Sequence, residues 1–256
     1  MKETPTLVGL IVALVVLAIL FSLLERFAFA LPRKSLFRRE RAVDLLWWFF
    51  TPIVSRTASS IAVFVAIALV AGMGRSPQWF ESQPKLLQIV ELLVVADFLG
   101  YFAHRLFHGR RLWRFHAIHH SAEDLDWLSA TRVHPINEVG NRVLQVVPLY
   151  LLGFRGQALA ALVPILTFWA LMVHANLRWD FGPLRYVIAS PTFHRWHHTS
   201  QEEGLDRNFA GLFPWIDALF GTLYMPRDRQ PERFGITGER VPNGLLGQLA
   251  YPFKKS

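Results

Sequence analysis

The sequence predicts an all-α, polytopic membrane protein with about four transmembrane helices or hairpin segments. Three observations carry that expectation. Of the 256 residues 52% are hydrophobic, the mean hydropathy is +0.28, and the apolar residues gather into long runs separated by short basic loops. Residues 1–85 are expected to hold the first membrane segments and a basic loop, residues 86–226 a histidine-bearing region with further membrane helices, and residues 227–256 a tail.

Thr6 to Leu24 forms the first apolar run. Its nineteen residues suffice to cross a hydrocarbon core of about 30 Å at about 1.5 Å per helical residue. A cleaved signal peptide competes, because "AFA" at 28–30 looks like a small-residue cleavage site, but the weakly basic "MKET" and the length of the run favour a retained helix. The second region, Leu45 to Met73, is interrupted by Pro52 and Arg56 and reads as an interfacial piece followed by a crossing from about Thr57. Leu86 to Ala103 is the third crossing. Val143 to Phe154 and Ala158 to Val173 form a hairpin turning at "RGQ".

Charge orients these segments. Arg26, Arg33, Lys34, Arg38, Arg39 and Arg41 fill the first loop, whereas the next has only Arg75 and Lys85 and the hairpin tip only Arg155. Basic residues in short loops stay on the cytoplasmic side, so the amino terminus is expected outside, with all ten histidines and the carboxyl terminus in the cytoplasm. Trp47 and Trp48 at one interface and Trp79 at the other suit an aromatic belt. The net charge of +8 does not point to nucleic acid, because the basic residues flank apolar stretches and form no stripe with exposed aromatics. No cysteine is present, which excludes disulfides, thiolate ligands and iron–sulfur clusters.

Eight of the ten histidines fall into three tight motifs: His104 and His108 in "HRLFH", His116, His119 and His120 in "HAIHH", and His194, His197 and His198 in "HRWHH". In the last two, the first histidine stands three and four residues from the others, so a helix presents three imidazoles on one face, which is expected to seize a metal ion. Ser190 and Pro191 resemble a capped first turn for the last of them. A lone histidine near an interface is usually a hydrogen-bonded or solvated side chain, but eight in such motifs exceed any packing need. His174, in "HAN" at the returning end of the hairpin, is expected as a further ligand. His134, in "RVHPINE", is either a ligand or the residue that starts a helix before Pro135. Eight to ten imidazoles are too many for one ion, which implies two metals in a cytoplasmic helical cap. Imidazole suits iron, zinc, copper and nickel alike. The cluster sits at the ends of membrane helices, within lateral reach of an alkyl chain, and oxidising an unactivated C–H bond takes a redox metal with dioxygen.

The ordered set H-x3-H, H-x-x-H-H, H-x-x-H-H resembles the fatty acid hydroxylase and sterol desaturase superfamily of integral-membrane di-iron oxygenases. The resemblance continues through "DFLGYFAHRLFH" at 97–108, "HHSAEDLDWLSATRVHP" at 119–135, "HAN" at 174–176 and "NFAGLFPWIDALFGTLY" at 208–224, and covers roughly residues 86–226. It implies that the eight box histidines bind two iron ions, with His174 as a further ligand and His134 as a ligand or a helix start, zinc being a possible substitute in purified protein. It also implies hydroxylation, desaturation or ether cleavage of a lipid, whether sterol, fatty acyl or related.

With no G-x-G-x-x-G loop in the chain, electrons are expected from a reductase, ferredoxin or small haem protein docking near Arg110, Arg111 and Arg114. Asp97 shares a helical face with Tyr101, His104 and His108, and is expected either to orient a ligand's second nitrogen or to bind a helix partner. Glu123, Asp124, Asp126 and Glu138 either tune ligands or solvate loops. Residues 208–224 read as an amphipathic cover or as core. A membrane zinc-dependent lipid hydrolase and a non-enzymatic metal or haem carrier are the alternatives from other classes.

Overall fold

The computed structural model describes residues 6–31, 40–73, 76–238 and 240–254. Arg33, Lys34, Arg38, Arg39 and Arg75 of the expected orienting charges lie outside the described residues. Beyond two isolated β-bridges, the regular secondary structure among the described residues is helical.

Helix α1 (Leu7–Ala28) begins where Thr6 Oγ1 accepts the Gly9 amide at 3.1 Å. One stripe packs inward through Leu10 and Phe21, while Val8, Ile11, Val12, Val15, Val16 and Ile19 are exposed, as lipid contact requires. Helices α2 (Arg41–Phe50) and α3 (Arg56–Leu69) form one 29-residue helical run. The expected break at Pro52 is absent: residues Thr51–Ser55 make a π-helical turn in which the Arg56 amide reaches the Thr51 carbonyl. A five-residue repeat absorbs the missing proline amide without ending the helix. Trp47 and Trp48 are not a membrane belt. Both are buried, Trp47 Nε1 donating to Gln248 Oε1 and Trp48 Nε1 to the Leu10 carbonyl at 3.1 Å. A buried indole is favourable when its N–H is paired, as both of these are.

After the short α4 (Gln78–Glu81) comes α5 (Lys85–Phe107), the third helix long and apolar enough to cross a membrane. Helix α6 (Trp113–His120) follows a tight turn, and α7 (Pro135–Leu151) and α8 (Gly156–His174) are joined by a short turn but are not the packed hairpin expected, because α7 lies along α3 and α5 and the cavity separates it from α8. Among the described residues three long apolar helices therefore stand beside α7 and α8. Helices α5 and α7 approach closely at glycines. A Cβ on Gly140 would lie 2.6 Å from the Phe107 ring, and one on Gly100 would lie 3.1 Å from Gln145 Nε2. The short helices α9 (Pro191–His197), α10 (Pro214–Leu219) and α11 (Leu245–Ala250) complete the chain.

Asn176 joins α1 to the end of α8. Its Oδ1 accepts the Leu31 amide at 3.0 Å and its Nδ2 donates to the Leu31 carbonyl at 2.9 Å, while Glu25 accepts its backbone amide at 3.1 Å. The asparagine of "HAN" thus holds the helix end that carries His174. Residues 208–224 are core on one side only, with Trp215 and Leu219 left exposed. Phe209, Ala210 and Ile216 pack with Tyr101 and Phe193, burying apolar surface against α5 and α9.

Candidate metal centre

Four helix ends deliver nine histidines to one place. Helix α5 brings His104, with His108 as its C-cap; α6 brings His116, His119 and His120; α8 ends on His174; and α9 brings His194 and His197, with His198 as its C-cap. Ser190 Oγ accepts the Phe193 amide at 3.2 Å, and Pro191 needs no donor at that position, so the two fix the start of α9.

The histidines fall into two groups. His104, His108, His116, His120 and His197 form one, and His119, His174, His194 and His198 the other; in each, one nitrogen per residue lies within 4.8 Å of those of the others. Each H-x-x-H-H is therefore divided between the groups, where the sequence suggested three imidazoles on one ion. Its first and last histidines stay together and its middle one crosses over, in opposite senses for α6 and α9. Consecutive residues on a helix differ by about 100° in direction, so adjacent histidines diverge to different sites. Rings interleave accordingly: His104 and His197 have centroids 4.4 Å apart, and His119 and His198 4.6 Å.

The outer nitrogens fix the inner ones. The Nδ1 atoms of His104, His174 and His197 donate to the carbonyls of Phe209 (2.8 Å), Ala170 (2.6 Å) and Arg207 (2.7 Å), and that of His119 to Arg132 at 3.3 Å. His116 Nδ1 meets Asn137 Oδ1 at 2.7 Å and His108 Nδ1 meets Asp206 Oδ1 at 2.9 Å. A carbonyl only accepts, so its Nδ1 partner carries the hydrogen, and the Nε2 of that neutral ring presents a lone pair. His119 and His174 then face each other through two lone pairs at 3.2 Å. The same inner atoms approach between His104 and His116 at 3.0 Å, while the buried Nε2 atoms of His108 and His197 have no partner.

Lone pairs held this close repel unless a cation lies between them, so the donor set fits metal ions held by imidazole. Burial, reinforced by neighbouring histidines, holds His116, His119, His120, His194, His197 and His198 well below the ordinary imidazole pKa. They are neutral at physiological pH, the state that coordinates metal.

Two expected residues sit elsewhere. His134 joins neither group: it caps α7, with Nδ1 accepting the Ile136 amide and Nε2 on the Leu249 carbonyl, so both nitrogens are engaged. Asp97 touches no histidine. Its Oδ1 accepts the amides of Gly211 and Leu212, and its Oδ2 that of Phe213. Asp217 accepts the amides of Phe209 and Ala210, and the two carboxylates together fix the loop whose Phe209 carbonyl holds His104.

A cavity of about 500 Å³ runs from His104, His116, His119, His174 and His194 between the membrane helices. Leu10, Leu17, Trp48, Leu166 and Leu171 give it an apolar wall.

The fatty acid hydroxylase family profile matches residues 89–222, more than half of the chain and all ten histidines. The chain belongs to the fatty acid hydroxylase family. An ornithine lipid hydroxylase, OlsE of Rhizobium tropici, is 38% identical over 179 residues, covering 69% of this chain and 54% of that protein. The alkylglycerol monooxygenase of Caenorhabditis elegans is 28% identical over 61% of this chain and 31% of its own length. For the very-long-chain aldehyde decarbonylase GL1-7 of Oryza sativa subsp. japonica the figures are 26%, 72% and 30%. The chain thus matches about half of the first of these relatives and about a third of the other two. No solved structure matches it.

Within this fatty acid hydroxylase domain, sequence reasoning missed the groups behind the histidines. Asn137 lies three residues beyond His134 in the same quoted stretch, and its single signal is a polar residue on an otherwise amphipathic helix. The carbonyls of Phe209, Arg207, Ala170 and Arg132 have no signature at all, since every residue has one. Of the acidic residues weighed beside the boxes, Asp126 caps the turn at Trp127–Thr131 and pairs with Arg41 at 3.2 Å, and Glu138 pairs with Arg142 at 3.0 Å.

Proposed function

We propose that the chain is a membrane-bound di-iron oxygenase that hydroxylates or desaturates a C–H bond of a lipid, using dioxygen and electrons from an external donor. The observation that carries this reading is the convergence of nine histidines into two interleaved groups at the end of a cavity with an apolar wall between membrane helices. His104, His108, His116, His120 and His197 would hold one iron and His119, His174, His194 and His198 the other. His134, with both nitrogens engaged, keeps a structural place at the start of α7.

Two bound irons supply the activation of dioxygen. The protein supplies the rest. Leu10, Leu17, Leu166 and Leu171 bind an alkyl chain and exclude water, and the carbonyls of Phe209, Ala170, Arg207 and Arg132 keep Nδ1–H fixed so that the Nε2 atoms of His104, His174, His197 and His119 face inward. The loop arginines favour histidines and carboxyl terminus on the cytoplasmic side, where a reductase, ferredoxin or small haem protein has access. The named relatives that hydroxylate or monooxygenate lipids favour this reaction over zinc-dependent hydrolysis.

Lipid mass spectrometry of cells expressing the wild type or His119→Ala under labelled dioxygen tests the proposal. A lipid gaining labelled oxygen, or gaining a double bond, in the wild type and not in the variant is the expected result. Identical lipid profiles would overturn it, and lipid cleavage that proceeds without dioxygen would favour the hydrolase.

A further inference from the structure

One wall of the cavity is not apolar. Beyond Asn137, which holds His116, helix α7 continues with Glu138, Asn141, Arg142 and Gln145, and all four line the cavity together with Arg56 of α3. Polar and charged side chains facing a cavity inside membrane helices are costly to place there and mark sites of function.

The pairing within this wall is incomplete. Arg142 Nε donates to Glu138 Oε1 at 3.0 Å, so that cation is balanced. Gln145 Nε2 donates to the Ala96 carbonyl of α5 at 2.8 Å and is structural. Arg56 is different. Its Nη2 donates to the Thr167 hydroxyl at 3.0 Å, its Nε has no acceptor, and it makes no ion pair among the described residues. Asn141 Oδ1 also lacks a partner, and an asparagine amide turned over presents donors instead. Two guanidinium groups share the single carboxylate of Glu138 on this wall, and Asp97, the other carboxylate lining the cavity, is turned to the amides of Gly211, Leu212 and Phe213, so no acidic side chain pairs directly with Arg56 among the described residues. The π-turn at Thr51–Ser55 shifts the helical phase just ahead of Arg56 and so decides the direction in which α3 presents it. Thr167 lies seven residues before His174 on α8, about 10 Å along the axis.

We propose that Arg56, supported by Arg142 and Asn141, is the recognition site for an anionic oxygen group, a carboxylate or phosphate, carried by an acyl chain that occupies the same cavity. This rests on reading the cavity as the place of the lipid substrate. A guanidinium matches either anion by paired N–H donors, and the low-dielectric surroundings strengthen the attraction. The anionic end is then held about two helical turns from the histidines, which limits the carbons of the chain that reach them.

Binding of radiolabelled octadecyl phosphate, octadecanoate, octadecanol and octadecylammonium to the full-length, metal-loaded protein in phosphatidylcholine nanodiscs, without dioxygen or an electron donor, tests this. The two anionic probes are expected to bind at least about tenfold more tightly than the alcohol, and the ammonium more weakly than the alcohol. Arg56→Gln is expected to abolish the anion preference by bringing the affinity for both anionic probes down to that of the alcohol, and Arg56→Lys to retain part of the preference. Equal wild-type affinity for the phosphate and the alcohol overturns the proposal even if Arg56→Gln fails to fold. Inorganic phosphate binding as tightly as octadecyl phosphate overturns the lipid as its source. Because no turnover occurs, anion selectivity without any labelled-oxygen product would leave this inference standing and the oxygenase reading fallen, and the converse separates them equally.

Discussion

His120 and His198, the closing residues of the two H-x-x-H-H motifs, stack with ring centroids 4.3 Å apart and planes inclined by 21°. They belong to different histidine groups, so this stack is the seam between the two sites. Removing a seam ring loosens both groups, whereas removing His108, whose histidine ring contacts all lie within the five-histidine group, affects one. His198→Ala is therefore expected to lose metal from both sites and fall below one ion per chain, while His108→Ala retains at least one. Metal analysis of the two purified variants checks the difference.

Asn137 is buried and its Oδ1 faces His116 Nδ1 at 2.7 Å. Loss of such a supporting acceptor typically lowers metal affinity about 10–100-fold. Asn137→Leu should show that loss in a chelator competition, and Asn137→Asp, which keeps an acceptor, should lose less.

Asp97 gathers three amides of the 211–213 loop, so Asp97→Ala leaves buried donors unpaired in addition to removing charge-assisted bonds. A destabilisation of at least about 3 kcal/mol is expected. Asp97 touches no metal-facing nitrogen directly, so its effect on metal should follow from displacement of the Phe209 carbonyl behind His104. Denaturation in detergent, followed by tryptophan fluorescence, measures the stability, and metal affinity of the folded fraction measures the second effect.

The buried histidines also set a pH dependence. In the unfolded chain each protonates near its ordinary value of about 6.5. In the folded protein His116, His119, His120, His194, His197 and His198 protonate only well below it, burial being the first cause. Below 6.5 the unfolded chain thus binds more protons, and stability present at higher pH is lost as pH falls, by up to about 1.4 kcal/mol per pH unit for each such histidine. The melting temperature of metal-free protein should drop between pH 7.5 and 5.5, and that of metal-loaded protein should drop less. A metal-free protein equally stable at both values would show that these rings are not buried neutral.

Much of this was legible in the sequence. Hydrophobic length located α1, α5 and α8 but not the packing of α7, which begins at Pro135 and lies on α3 and α5 instead of pairing with α8, and histidine spacing located eight of the nine converging residues, with His174 added by its place at the end of α8. Other features were hidden for physical reasons. Pro52 reads as a break because a sequence does not reveal that a π-turn will absorb it. Trp47 and Trp48 read as interfacial because their partners, Gln248 and the Leu10 carbonyl, are distant in the chain. The division of each H-x-x-H-H between two groups depends on how α6 and α9 face each other, which helical periodicity alone does not fix. His134 resembles a ligand in composition and differs only in what its two nitrogens meet.

Metal stoichiometry at saturation, with X-ray absorption to identify the ligands, tests the paired site most directly. Two ions per chain, coordinated on the protein side by imidazole nitrogen, are expected. One ion per chain at saturation, or ligation dominated by carboxylate oxygen, would contradict a centre built from these two histidine groups.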